Sequence, residues 1–179
     1  MKIIISNFAV SWRADFGNHT RRSFESLFKN MSYVSTSVKC HANFAVVRVF
    51  PFKFVYVIFY GGHVNCTGIN KLVVIDTAIY LFKCVFKCNI TNFKIQAIAA
   101  TTDFSIALTP DILVSVKPKI RNEDRLIIVR DFFSGIILKF GTGGTAQIFY
   151  SGKINFLGAK SYKHLIQMYV CVYKLLINK

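Results

Sequence analysis

Cys84 and Cys88 stand one helical turn apart and could hold a metal ion as a thiolate pair. No second pair follows at finger-like spacing, and the four histidines, His19, His41, His63 and His164, are scattered. Core or helix-surface thiols are therefore expected, with no metal and no cofactor. Gly141-Thr142-Gly143-Gly144 looks like a phosphate loop but lacks the loop's Lys and its strand-to-helix context, so a hairpin turn is expected there. The eight acids show no paired arrangement for acid–base work. An enzyme is not expected, nor a small-molecule substrate.

The chemistry the chain does carry is cationic. Lys and Arg number 23 against 8 Asp and Glu, a net charge of +15. Self-repulsion from such an imbalance costs stability, which points to a polyanionic partner or an anionic membrane. A membrane partner is not expected. Lys53, Gly61, Asp76 and Lys83 break the apolar stretches well short of the ~20 residues a spanning helix needs. No Lys-rich amphipathic helix with an exposed apolar face is evident. The five cysteines are an odd count without a signal-peptide pattern, which favours reduced thiols.

Whatever grips a polyanion here is positioned by a duplication. Residues 58–68 read IFYGGHVNCTG and residues 148–158 read IFYSGKINFLG, 90 residues apart, with six of eleven positions identical. Each half must build the same unit, and the two units most simply meet about a pseudo-two-fold axis. The halves are 1–90 and 91–179, one pseudo-symmetric domain. FVYVIFY at 54–60 reads as a strand, Gly61-Gly62 as a hairpin turn, and 63–67 as a second strand ended by Gly68. The second copy repeats this with strands near 144–150 and 153–157. The period then becomes helical: Ile75, Ile79, Phe82 and Phe86, and again Leu165, Tyr169, Val172 and Leu176. Ser161 is placed to cap the second helix. Opening strands at 2–12 and 92–101, short helices at about 20–29 and from Thr109-Pro110, and strands near 43–50 and 135–140 complete the units. Antiparallel strands with helices on one side predict an α+β fold of two layers, leaving one sheet face uncovered.

Alternation along the strands assigns that open face. Val64, Cys66, Ile154 and Phe156 share the parity that packs on the helices. His63, Asn65, Thr67, Lys153, Asn155 and Leu157 share the other, joined by Val55, Val57, Phe59, Thr145, Gln147 and Phe149. A face with Phe59 and Phe149 on it needs a partner.

These segments resemble the TATA-binding protein family, over nearly the whole chain. The strongest match is IFYSGKINFLGAKS at 148–161; IFYGGHVNCTG, FKIQAI at 93–98 and NFAVVRV at 43–49 add to it. The resemblance implies a saddle: a ten-stranded antiparallel sheet over the DNA minor groove with four helices on its convex side. That family is itself a standard case of apolar wedges that unstack base steps and bend the duplex. Its four wedge phenylalanines fall on Phe44 and Phe59, and on Phe133 and Phe149, with Phe132 leaving the third open by one residue. Its central Asn falls on Asn7, with Ala97 as the second-half counterpart.

Asn65 and Asn155 stand where the family has Val. They could donate amide N–H groups to A N3 and T O2, the acceptors an A·T pair shows in the minor groove; a turn contact at a strand end is the equal alternative. Thr67 matches a family minor-groove threonine, and Leu157 replaces it in the second copy. Lys139, Ser151, Lys153 and Lys160 match phosphate contacts. Their first-half counterparts are Phe50, Gly61, His63 and Asn70, with Arg48 and Lys53 nearby.

The implied function is binding and bending of AT-rich double-stranded promoter DNA to nucleate transcription, with the transcription machinery as partner. The alternative is the same fold working as a protein-interaction module with weak or no DNA binding. Cations around the open face would favour DNA; cations on the helical side would favour an acidic protein. Of the family's acidic stirrup Asp131 remains, but Val129 and Arg130 replace its neighbours, which puts contact with cellular factor IIB in doubt. The implied place of action is the nucleus, or the site of viral transcription. Lys-, Asn-, Ile- and Phe-heavy usage fits a large DNA virus of AT-rich genome.

Overall fold

The computed structural model describes residues 2–16, 26, 35–105, 108–109, 123–128 and 135–177. They fall into two compact units, Asn7–Gln96 and Met1–Ser6 with Ala97–Lys179. The fold is α+β with antiparallel pairing throughout.

The first unit holds β1 (Ile4–Ala14) from Asn7 onward, β2 (Ser35–Cys40), β3 (Phe44–Phe50), β4 (Phe54–Phe59) and β5 (His63–Ile69), followed by helix α1 (Leu72–Phe86). Their order across the sheet is β2-β3-β4-β5-β1. In the second unit β6 (Ile90–Asp103) from Ala97 onward, β7 (Arg125–Ile128), β8 (Gly135–Lys139), β9 (Thr145–Phe149) and β10 (Lys153–Ala159) precede helix α2 (Tyr162–Ile177). The order there is β6-β10-β9-β8-β7.

The duplicated hairpins are closed by the same three-residue loop. Gly62 N–H donates to Phe59 O and Gly152 N–H to Phe149 O, each at 2.9 Å. Both glycines have φ of +87°, a left-handed conformation that an L side chain enters only with strain. The loop carbonyls then accept from the ends of the opening strands, Ala14 N–H to Gly62 O at 2.9 Å and Phe104 N–H to Gly152 O at 3.0 Å.

The expected parity is observed: Val64, Cys66, Ile154 and Phe156 are fully buried. In the first unit Trp12, Tyr56, Phe16 and Phe86 surround Phe82 with ring centroids 4.5–6.0 Å from it. Tyr56 Oη donates to Ala78 O of α1 at 2.8 Å. In the second unit Tyr169 of α2 meets Phe104 and Phe156. Burying such a ring contributes roughly 1.5–3 kcal/mol, so these contacts fix the helices to one sheet face.

Four details differ from the sequence expectations. The strand from His63 does not stop at Gly68 but shifts register and continues to Ile69. The α1 stripe runs through Ile75, Ala78, Phe82 and Phe86, with Ile79 at its margin. On α2 the buried residues are His164, Leu165, Met168 and Val172, with Tyr169 and Leu176 at the margin. Cys84 and Cys88 do not share a helix: Lys87, at φ +46°, ends α1 in a left-handed cap. Burial raises the Cys88 thiol pKa, which works against a thiolate ligand. Among the described residues no cluster of three metal-binding side chains occurs. None of the described helices is long and apolar enough to cross a membrane. Ser26 is helical; the rest of the expected helix at 20–29, and the one from Thr109-Pro110, lie outside the described residues apart from Thr109 itself.

Candidate nucleic-acid interface

In each unit the strand face away from the helix carries the candidate residues, because cross-strand partners share a face. In the first unit one row runs Val46, Val57, Asn65, Ser11. Beside it stand Phe44 opposite Phe59, and His63 opposite Arg13. On the other side stand Arg48, Val55 and Thr67.

Phe44 and Phe59 are half-buried, their ring centroids 5.7 Å apart. His41 stacks on Phe44 at 4.5 Å and 21°, and His63 lies 5.9 Å from Phe59. The result is a file of four rings on a face without a described helix. His41 was not among the sequence candidates; its position three residues before Phe44, across a bend, is the signal that could have found it.

Asn7 Oδ1 accepts from Gly68 N–H at 2.9 Å, which leaves its NH2 group for a donor role. Asn65 Oδ1 and His63 Nε2 share a hydrogen bond at 3.0 Å. Ser11 Oγ accepts from Gln96 Nε2 at 2.6 Å.

In the second unit the equivalent row runs Ile137, Gln147, Asn155, Thr101. Asn155 Nδ2 donates to Gln147 Oε1 at 3.4 Å. Lys139 stands between Arg125 and Thr145, and Thr145 opposite Leu157. Lys153 faces Asp103. Ser151 is exposed in the hairpin loop, and Lys160 is exposed at the turn before α2, its N–H donating to His164 Nδ1 at 3.2 Å.

Phe149 is half-buried and stands opposite Gly135. A Cβ at Gly135 would collide with the carbonyl of Ile148, so no side chain fits at this cross-strand position. Phe133 lies outside the described residues, as does Asp131 with Val129 and Arg130.

The cations divide. Arg13, Lys39, Arg48, Arg125, Lys139 and Lys153 are exposed with open-face register. Lys71, Lys83 and Lys87 are exposed on or beside α1, and Lys163 and Lys174 on α2.

No protein-family model matches this chain. No curated protein matches it either. Among solved structures, Methanococcus jannaschii TBP matches at 21% sequence identity and a TM-score of 0.76, covering 100% of both chains. The chain is TBP-like. At this identity the likeness is one of fold.

Proposed function

We propose that this TBP-like protein binds AT-rich double-stranded DNA through the minor groove and bends it, as a transcription-initiation factor in the nucleus or at a site of viral transcription. The observation that carries the reading is the ring file His41–Phe44–Phe59–His63 on a sheet face opposite the packed helix. Rings left half-exposed in a row, beside Arg13 and with Arg48 on the far side of the Val46–Val57–Asn65 row, suit insertion between bases with phosphates alongside. The two repeats, 1–90 and 91–179, would form one saddle of ten strands with four helices on its convex side. Phe149, and Phe133 with it, would act on the second half-site. Asn7, Asn65 and Thr67 would meet the groove floor, and Lys139, Ser151, Lys153 and Lys160 the phosphates. The reading is non-enzymatic.

The test is a bending and binding titration on AT-rich duplexes. The open-face cations, if each neutralises one phosphate, give a log–log salt slope of about −5 to −6. Phe44→Ala/Phe59→Ala should reduce affinity about 30-fold or more and lower the FRET-detected bend more than Phe149→Ala does, because base–ring stacking contributes ~1–3 kcal/mol per ring. A flat salt dependence, or equal bending by wild type and the double variant, would defeat the reading.

One observation favours a second reading, a protein-interaction module. Leu72, Val73 and Tyr80 of α1 are 59%, 69% and 67% exposed, more apolar surface than a solvated helix needs. Substituting these three with Ser should leave DNA binding intact under the first reading. Loss of partner recruitment with no measurable DNA affinity in wild type would support the second.

A further inference from the structure

The two open faces differ at one central position in a way that bears on sequence choice, and the inference rests on the minor-groove reading above. Positions 65 and 155 are both Asn, but their neighbours 57 and 147 are Val and Gln. We propose that Gln147 and Asn155 together read a G·C pair within the half-site under the second unit, whereas Asn65 with Val57 confines the other half-site to A·T.

An amide offers two N–H donors and one carbonyl acceptor with two lone pairs. The 3.4 Å bond from Asn155 Nδ2 to Gln147 Oε1 uses one donor and one acceptor of the couple. It leaves donors on both amides and the Asn155 oxygen beside them. Turning both amides over gives the same inventory, an acceptor next to donors. Thr101 Oγ1, opposite Asn155, adds a hydroxyl that can serve either way.

In the minor groove an A·T pair shows acceptors only, and a G·C pair adds the guanine N2 amino donor. Donors alone suit A·T. An acceptor beside donors is what a G·C edge needs: the oxygen takes the guanine amino hydrogen while an N–H meets C O2 or G N3. In the first unit the Asn65 oxygen is already engaged by His63 Nε2, and its neighbour is the apolar Val57. A guanine amino group pressed there would meet an amide oxygen already shared with His63 and, at Val57, no second amide to complete the edge, so it would recover less of the hydrogen bonding it loses from water. Opposite preferences in the two half-sites would also orient the protein on its site.

The experiment uses the full chain and an AT-rich duplex in which each A·T pair is replaced in turn by G·C and, separately, by inosine·C. Inosine lacks only the 2-amino group, so the I·C minor-groove edge matches that of A·T. At one or two positions of one half-site G·C should bind several-fold more tightly than I·C; at the remaining contacted positions G·C should bind about tenfold more weakly, the scale of one base-edge contact. Gln147→Val, which copies the first unit's own residue, should abolish the G·C preference and change all-A·T affinity less than about threefold. Asn155→Val should abolish the G·C preference as well. G·C weaker than I·C at every contacted position in wild type, or an unchanged preference in Gln147→Val, overturns this inference and leaves the minor-groove reading standing. No binding to any duplex overturns both.

Discussion

Beneath its helix the first unit keeps large residues where the second has small ones, and the reverse. At a 90-residue offset Trp12, Phe54, Tyr56 and Phe82 correspond to Thr102, Gly144, Ala146 and Val172, whereas Ala14, Cys66, Ala78 and Ile79 correspond to Phe104, Phe156, Met168 and Tyr169. The backbones agree in strand order, loop hydrogen bonds and helix placement. A close-packed interior requires a filled volume, and it accepts that volume from either wall. Duplication thus preserved the architecture and let side-chain volume migrate between sheet and helix. On the open faces no such compensation operates, and there the two units differ in chemistry: a file of four rings in one, an amide couple in the other.

The exchange can be broken and partly restored. Tyr56 is buried, its ring meets Trp12 and Phe82, and its hydroxyl donates to Ala78 O. Tyr56→Ala should lower stability by about 3–5 kcal/mol, the cost of emptying an aromatic site. Ala78→Met alone should cost about 1–3 kcal/mol through overpacking. The double variant copies the arrangement of Ala146 and Met168, so it should recover at least ~1 kcal/mol relative to the sum of the singles. Urea unfolding of the four proteins measures this; strict additivity would show that the two walls do not share one volume.

A second asymmetry concerns pH. Burial pushes the Cys66 thiol up to about 12 from its ordinary 9.0, and its counterpart Phe156 cannot titrate. The folded state keeps the proton after the unfolded chain has lost it. The stabilising effect is therefore complete below pH 9 and is lost as pH rises toward 12, at about 1.4 kcal/mol per pH unit. Burial also raises Tyr56 above its ordinary 10.0, with the nearby Cys66 as a smaller cause, so a further decline sets in above pH 10. Cys66→Ala should shrink the decline between pH 9 and 10 to the part that the raised Cys88 thiol contributes, and leave part of the later one. An unchanged slope over pH 9–10 in that variant would mean the thiol is not the group responsible.

Much of this was legible in the sequence. The hairpins, both helices and the side-chain parity follow from repeated Gly positions and from periods of two and 3.6. The strands Ser35–Cys40 and Arg125–Ile128 were not anticipated, because a polar edge segment and one of four residues carry little alternation. The partner of Phe149 was illegible for a different reason. A cross-strand pair depends on the turn between the strands: 51–53 joins β3 to β4, and the longer 140–144 joins β8 to β9. Counting along the chain pairs Phe44 with Phe59 correctly but gives no hint that Gly135 lies across from Phe149. Gln147 was visible as an open-face residue, yet its bond to Asn155 depends on that same register.

The smallest expected effect concerns how the two helices begin. Ser161 Oγ accepts from His164 N–H at 3.1 Å, and Ser161 O from Leu165 N–H at 3.0 Å. His164 completes the start of α2 with Nδ1 accepting from Lys160 N–H, which leaves Nε2 to donate to Thr142 Oγ1 at 3.2 Å. The counterpart of Ser161 is Lys71, whose backbone has the extended cap conformation, φ −140° and ψ 147°, but whose side chain makes no cap bond. Neither helix has an acid in its first turn to offset the dipole. The backbone at Lys71 is therefore ready for a cap that the residue cannot supply. Ser161→Ala should cost about 1 kcal/mol, and Lys71→Ser should add about 0.5–1 kcal/mol. Because the two sites belong to separate units, the double variant should return close to wild-type stability in urea. A Lys71→Ser protein no more stable than wild type would mean that α1 is held by its aromatic contacts alone, and that the missing cap has no cost there.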